Sequence, residues 1–283
     1  LSRTAQQFNG PKQICAGLIG YIAIQQKDPG PTVWRQGIPM RDQVFSKPQA
    51  NIVDFAFNEE VVNVFPDMIR RSVPGYELVI PMGGLMAARH MGSDGVAYDL
   101  GCSLGASSLA LLTYCPSPDI GIVAVDNSQA MIDEAQKHIK DPRIKFRLDD
   151  LLATDVTGAK VVMLNFVLQF LDPQHRGELL RRIAKTMDPT GLLILSEKVQ
   201  DQDPDTQAFF DGTHLAWKQA NGYSQLEVSQ KRQALENVMQ VETPQAHHER
   251  LKQCGFNDII QWFHCMNWVS FAASPTRVLA THE

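Results

Sequence analysis

Paired cysteines are missing from this sequence. Its five (Cys15, Cys102, Cys115, Cys254 and Cys265) are scattered over 283 residues with no C-x-x-C among them. Neither a disulfide framework nor a zinc site is therefore expected, and a reducing, cytoplasmic compartment fits best. A basic excess is missing as well. The formal charge is -5, whereas a surface built to neutralise phosphates needs a positive field, so stable binding to nucleic acid is not expected. Nor is there an apolar run of membrane-spanning length. The segment 14–24, ICAGLIGYIAI, falls far below the roughly 20 residues a helical span requires. With Arg3 and Lys12 upstream it loosely imitates a secretory leader, but no small-x-small cleavage site follows. Pro/Ser linkers and charge blocks are also absent from the middle of the chain, which points to a single catalytic domain.

What is present begins after Met40. Residues 25–39 carry Pro29, Gly30, Pro31 and Pro39 without periodicity and read as extended or disordered chain. Residues 1–39 are therefore expected to be an upstream extension with no part in the fold, and 40–283 the domain. Asn58 before Glu59-Glu60 is a helix N-cap, and a second helix is expected from about 76 to 90, after Pro74-Gly75. Short apolar runs then alternate with helical patterns: strands at 95–100, 120–126, 143–148, 159–166 and 191–196, with helix starts at Ser128 and at Asp172-Pro173. That order gives a mostly parallel sheet covered on both faces. About 60 residues, 199–255, then read as inserted helices started by Asp203-Pro204, by the capping box Ser224-x-x-Glu227 and by Thr243-Pro244, the last ended by Gly255. Two closing β-runs, 258–265 and 267–273, must pair antiparallel because their connection is tight. The architecture expected is α/β, of the Rossmann-like class I methyltransferase type.

The chemistry should sit at the carboxyl ends of the strands. The first strand runs into Gly101-Cys102-Ser103-Leu104-Gly105, a turn whose glycines would let a ligand approach the backbone, and Asp99 adds a carboxylate. Asp126-Asn127 ends the second strand at the distance where an acid accepts from ribose hydroxyls. Asp149 and Asp150 end the third, placed to accept from an exocyclic amine, and Asn165 ends the fourth. Two other readings compete. A dinucleotide fold wants G-x-G-x-x-G, which Ser103 and Ala106 break. A serine hydrolase would use G-x-S-x-G at 101–105 with Met82-Gly83-Gly84 as an oxyanion loop, but leaves Asp99 and Asp126 without a task. His247 and His248 are read as surface residues. His214 and Trp217 share a helix face, as packing or as the border of a substrate pocket, and Trp262, Phe263, Trp268 and Phe271 are read as core.

Six stretches carry a closer likeness: FPDMIRRSVPGY (65–76), YDLGCSLGASS (98–108), VDNSQAMI (125–132), LNFVLQFLDP (164–173), LSEK (195–198) and ANGYSQLEVSQKRQALENVM (220–239). Together they resemble the bacterial carboxy-S-adenosyl-L-methionine synthases, from Met40 to about Ala273. The resemblance implies that S-adenosylmethionine and prephenate react to give carboxy-S-adenosylmethionine and phenylpyruvate, the former serving the modification of tRNA wobble uridine 34. It implies ligand contacts at Tyr76, Gly101, Cys102, Ser103, Asp126, Asn127, Asp150, Leu151, Asn165 and Arg232, with Arg232 gripping the new carboxylate. It implies a homodimer and no metal. Surplus apolar residues on the insertion (Phe209, Phe210, Leu215, Leu226, Leu235) agree with a subunit contact. Cofactor motifs alone leave open a small-molecule methyltransferase or a non-catalytic binding partner.

Overall fold

In the computed structural model the described residues are 41–46, 57–236 and 238–279, and the side chains of Arg232, Gln233, Leu235 and Glu236 lie outside the description. The expectation for residues 1–39 falls outside it too. Helices α1 (Glu59–Ser72) and α2 (Tyr76–Met91) lead into β1 (Gly95–Leu100), α3 (Ala106–Tyr114), β2 (Ile120–Asp126), α4 (Gln129–His138), β3 (Ile144–Leu148), β4 (Val161–Asn165), α5 (Pro173–Thr186) and β5 (Leu192–Lys198). The inserted helices are α6 (Pro204–Ala220), α7 (Gln225–Glu236) and α8 (Pro244–Gln253), and β6 (Asp258–Cys265) and β7 (Trp268–Ser274) close the chain.

The seven strands form one sheet in the order β3-β2-β1-β4-β5-β7-β6, parallel from β3 through β5. β7 enters antiparallel between β5 and β6, as the short connection from β6 to β7 requires. Strand order reverses between β1 and β4, so a crevice opens at their carboxyl ends, where ligands of such sheets bind. The alternating side chains of the central strands fill both faces. Val162, Leu164, Leu193 and Leu195 pack with Leu179, Leu180 and Ile183 of α5, whereas Val161, Met163 and Ile194 pack with Ala87 and Met91 of α2 and Leu111 of α3.

The sequence signals at helix starts act as expected. Val61 N–H donates to Asn58 Oδ1 at 3.1 Å, Met131 N–H to Ser128 Oγ at 3.2 Å and Thr206 N–H to Asp203 Oδ2 at 2.8 Å. The strict β-α alternation fails once: residues 149–160, between β3 and β4, form only turns. Turn-forming Asp150, Thr154, Asp155 and Gly158 hold that connection, through Thr154 N–H to the Asp150 carbonyl and Thr157 N–H to Asp155. α8 ends at Gln253 with Cys254 as its C-cap, and Gly255 stops it as expected, at φ 106° with its N–H donating to the Lys252 carbonyl at 3.2 Å.

Candidate active site at the strand ends

Three residues of the turn between β1 and α3 have left-handed backbones: Gly101 (φ 75°), Ser103 (φ 49°) and Gly105 (φ 80°). The turn is held from below, because the Gly101 and Cys102 N–H groups both donate to the Val125 carbonyl, at 2.8 and 2.9 Å. Its glycines are required by the protein itself. A Cβ on Gly101 would lie 2.5 Å from Val167 Cγ2, and one on Gly105 would lie 2.7 Å from Ile139 Cδ1. The missing side chains thus point at packed residues, which corrects the expectation that the glycines clear the way for a ligand.

Asp126 locks this turn to the next element. Its Oδ2 accepts from Ser103 N–H at 2.8 Å and its Oδ1 from Ser128 N–H at 2.9 Å, so one carboxylate spans the end of β2, the β1 turn and the start of α4. Burial raises its pKa, with the Ser128, Ser103 and Asn127 N–H groups opposing. Asn127 is exposed beside it. Both aspartate oxygens keep lone pairs for a further donor.

Asp99 lies beneath, at 2 % exposure, and accepts from both the backbone N–H (3.0 Å) and the hydroxyl (2.7 Å) of Ser108. Burial pushes its carboxyl up to about 6. It therefore ties β1 to α3 rather than reaching toward a ligand. Its charge, after burial, helps raise the Tyr76 phenol and the Cys102 thiol, so Cys102 stays a protonated thiol with little nucleophilic character. The Tyr76 ring is buried and lies 5.9 Å from that of Phe166, itself left-handed at φ 63°.

At the end of β3, Asp150 is exposed. Its Oδ1 accepts from Leu152 N–H at 2.8 Å, and Arg182 of α5 donates to the carbonyls of Leu151 (2.8 Å) and Leu152. Asn165 at the end of β4 belongs to a polar chain through the sheet. Ser270 donates to Ser196 at 2.8 Å, Ser196 to Asn165 Oδ1 at 2.7 Å, and Asn165 Nδ2 to Ser107 at 3.0 Å. The structure thus brings Tyr76, the 101–103 turn, Asp126, Asn127, Asp150, Leu151 and Asn165 onto elements that meet at this edge. Arg232 is carried by α7, and its side chain is outside the description.

Sequence reasoning passed over Glu197, at the carboxyl end of β5. It is fully buried, with Oε1 accepting from Val167 N–H (3.2 Å) and Leu168 N–H (2.8 Å) and Oε2 from Gln169 N–H (3.0 Å). Burial pushes its carboxyl up to about 8 against those three donors. An acid closing the apolar run LLILS was the available signal. His247 needs correction, because it is 2 % exposed on the inner side of α8 with Leu251, and burial lowers it to about 4; His248 is exposed. His214 packs: its Nε2–H donates to the Ser72 carbonyl at 2.8 Å and its ring meets Trp268 edge-on at 4.6 Å. Trp217 is 40 % exposed. Trp268 and Phe271 are core, whereas Trp262 and Phe263 are only half-buried.

Among the described residues, no group of three His, Cys, Asp or Glu side chains is placed to hold a metal, and no helix is long and apolar enough to cross a membrane. Ser103 Oγ meets Met131 Sδ at 3.3 Å, not an imidazole as a hydrolase elbow would.

Known proteins share this sequence and fold. Residues 97–191 match the family model described as a methyltransferase domain. The carboxy-S-adenosyl-L-methionine synthase of Pseudomonas fluorescens (strain Pf0-1) is 44% identical over 242 residues, 83% of this chain and 98% of the relative. That of Pectobacterium atrosepticum is 45% identical over 240 residues, 83% of this chain and 97% of its own. Among solved structures, an O-methyltransferase family protein from Burkholderia thailandensis superposes with a TM-score of 0.57 at 18% identity, covering 77% of this chain and 60% of that one. Human N-acetylserotonin methyltransferase, in complex with SAM, gives 0.53 at 19%, covering 77% and 56%. At such identities these two establish the fold alone.

Proposed function

The chain belongs to the carboxy-S-adenosyl-L-methionine synthase family, and on that premise we propose that it makes carboxy-S-adenosylmethionine from S-adenosylmethionine and prephenate, releasing phenylpyruvate. The observation that carries this reading is the 44–45% identity to carboxy-S-adenosyl-L-methionine synthases over nearly their whole length; the junction at Asp126, where one half-buried carboxylate at the end of β2 joins the β1 turn to α4, supports a nucleoside at this edge. A ribose diol and an adenine amine are donors, and Asp126 and Asp150 offer acceptors at neighbouring strand ends. We assign the nucleoside to the 101–103 turn, Asp126, Asn127, Asp150 and Leu151, and the sulfonium end to the side lined by Tyr76 and Asn165. S-adenosylmethionine is a substrate here, and its sulfonium acidifies the methyl C–H bonds. When prephenate aromatises it loses carbon dioxide and its ring hydroxide; the hydroxide takes one methyl proton as water, and the carbon left behind bonds to the carbon dioxide.

No protein nucleophile enters that balance. The chain has to hold both reactants in contact, keep bulk water out and neutralise the carboxylate that forms. Arg232 is assigned the last task, because a planar guanidinium can pair with a carboxylate through two parallel bonds. We also assign a homodimer, supported by the exposed Phe209, Leu215 and Leu226 of the inserted helices, and the supply of a carboxymethyl donor for tRNA wobble uridine 34. The test is direct: incubate the protein with S-adenosylmethionine and prephenate and weigh the cofactor by mass spectrometry. A product heavier by one carboxyl group is expected, and its absence refutes the reading. Arg232→Ala should spare S-adenosylmethionine binding while weakening carboxy-S-adenosylmethionine by at least about 2 kcal/mol, and Arg232→Lys should not fully restore it.

A further inference from the structure

Helix α7 buries polar side chains, which is unusual for a helix packed on a domain. Among its described side chains the buried ones are Glu227, Val228, Gln230, Lys231 and Ala234, so three of these five carry charge or an amide. Each polar one has a fixed partner. Ser224 N–H donates to Glu227 Oε2 at 2.6 Å while Glu227 N–H donates back to Ser224 Oγ at 3.2 Å. Gln230 Nε2 donates to the Phe45 carbonyl at 2.8 Å. Lys231 is 4 % exposed, and its ammonium donates to Ser72 Oγ at 2.9 Å and to the Tyr223 hydroxyl at 3.3 Å, with Asp42 Oδ2 3.5 Å away. Tyr223 in turn donates to Asp42, and the Arg71 guanidinium stacks 3.7 Å above the Tyr223 ring while pairing with Asp67 at 3.0 Å.

An apolar face can rotate or slide by a fraction of a turn at small cost, because dispersion contacts have no preferred partner. A buried ammonium cannot, since moving it off its acceptors leaves an unpaired charge out of water. Such a face therefore fixes the register of α7 more than it stabilises the fold. Ser72 is where the register is set. Its hydroxyl accepts from Lys231 of α7 and its carbonyl accepts from His214 of α6, and Tyr76 follows four residues later at the start of α2. The residue after Lys231 is Arg232.

We infer that Lys231 and Ser72 are positioning residues for the reaction, holding α7 so that Arg232 stands at a fixed place relative to Tyr76. The inference rests on the reading of the previous subsection, in which Tyr76 and Arg232 act on the same substrate. Removing the link frees α7 but leaves α1, α2 and the strand-end turns in place. The nucleoside end should be unaffected and the carboxylate end should suffer.

The experiment compares Lys231→Met, which keeps an unbranched side chain one atom shorter and leaves Asp42 its bonds from Tyr223 and from Val44 N–H, with Ser72→Ala, which deletes one hydroxyl. Binding of S-adenosylmethionine and of carboxy-S-adenosylmethionine is measured by calorimetry for both, beside wild type and Arg232→Ala. For each variant the carboxylated ligand should bind at least tenfold more weakly and S-adenosylmethionine within threefold of wild type. Equal losses for both ligands, or a falling melting temperature with an unchanged ratio of affinities, would assign Lys231 and Ser72 to stability alone and overturn the inference. Unchanged affinities in both variants while Arg232→Ala loses the carboxylated ligand would overturn it too, leaving the proposed function standing. A wild-type protein that forms no carboxylated cofactor overturns the proposed function instead, and the inference falls with it. Should Lys231→Met fail to fold, Ser72→Ala decides alone.

Discussion

Replacing Glu197 by glutamine keeps the side chain's shape and removes its ability to ionise, so it isolates what a fully buried acid does at the end of β5. In acid solution the substitution should destabilise. Glutamine presents one carbonyl oxygen, which can serve Val167 and Leu168 as Glu197 Oε1 does, but its amide nitrogen then faces the Gln169 N–H that Oε2 accepts. One buried N–H loses its acceptor, at a cost of about 1–3 kcal/mol. The pH dependence runs the other way. Folded Glu197 keeps its proton up to about 8, because burial penalises the charge, whereas its ordinary value is 4.5. Between those two values the folded chain holds the proton that the unfolded chain has released. The stability this group contributes is therefore complete below 4.5 and is lost as pH rises toward 8. At about 1.4 kcal/mol per pH unit, that window carries on the order of 5 kcal/mol. Every other titrating group is shared by the two proteins and cancels in their difference. Urea titrations at half-unit steps should show Glu197→Gln less stable than wild type at pH 5 and equally or more stable at pH 8. A difference that stays constant from pH 5 to 8 would refute the reasoning, because Glu197 would then be ionised in the fold throughout.

Two further substitutions probe the strand-end turns. Gly101→Ala places a Cβ 2.5 Å from Val167 Cγ2 on a backbone at φ 75°; strain and overpacking should together cost about 2–4 kcal/mol, read as a lower urea midpoint with an unchanged slope. Arg182→Ala removes the donors to the Leu151 and Leu152 carbonyls and should weaken S-adenosylmethionine by about 1–2 kcal/mol while leaving the affinity for free prephenate unchanged, as calorimetry of each ligand would show.

How much of this was legible in the residues depends on whether the signal is local. Strands and helix starts were, because a period of two or an Asn, Ser or Asp before an apolar spacing acts through neighbours in the chain, as Asn58, Ser128 and Asp203 do. The carboxylates at the strand ends were legible for a topological reason: parallel strands joined by helices deliver every carboxyl end to one edge. The division of labour among them was not. Asp99 and Asp126 look alike in the sequence and share one face of the sheet, yet Asp99, opposite Ala124 and so two residues deeper, is taken up by Ser108, whereas Asp126 at the strand end holds the turn and α4. Asn165 was named as a contact without any hint that Ser107, Ser196 and Ser270, up to 105 residues away, complete its hydrogen bonds.

The least legible features are the polar contacts made across long stretches of chain. Lys231 reads as a solvated helix residue, since lysine is seldom buried; only the fold brings Ser72, 159 residues earlier, within 2.9 Å of it. Glu197 likewise needs three N–H groups from a loop some 30 residues away before its burial makes sense. Hydrophobic pattern predicts which face of an element turns inward, and on α7 it passes over Gln230 and Lys231, which are buried on hydrogen bonds rather than on apolar contact. That failure is informative in itself. Buried polar side chains of this kind gain little from burial and much in registry, and the helix that carries them here is the one that bears Arg232.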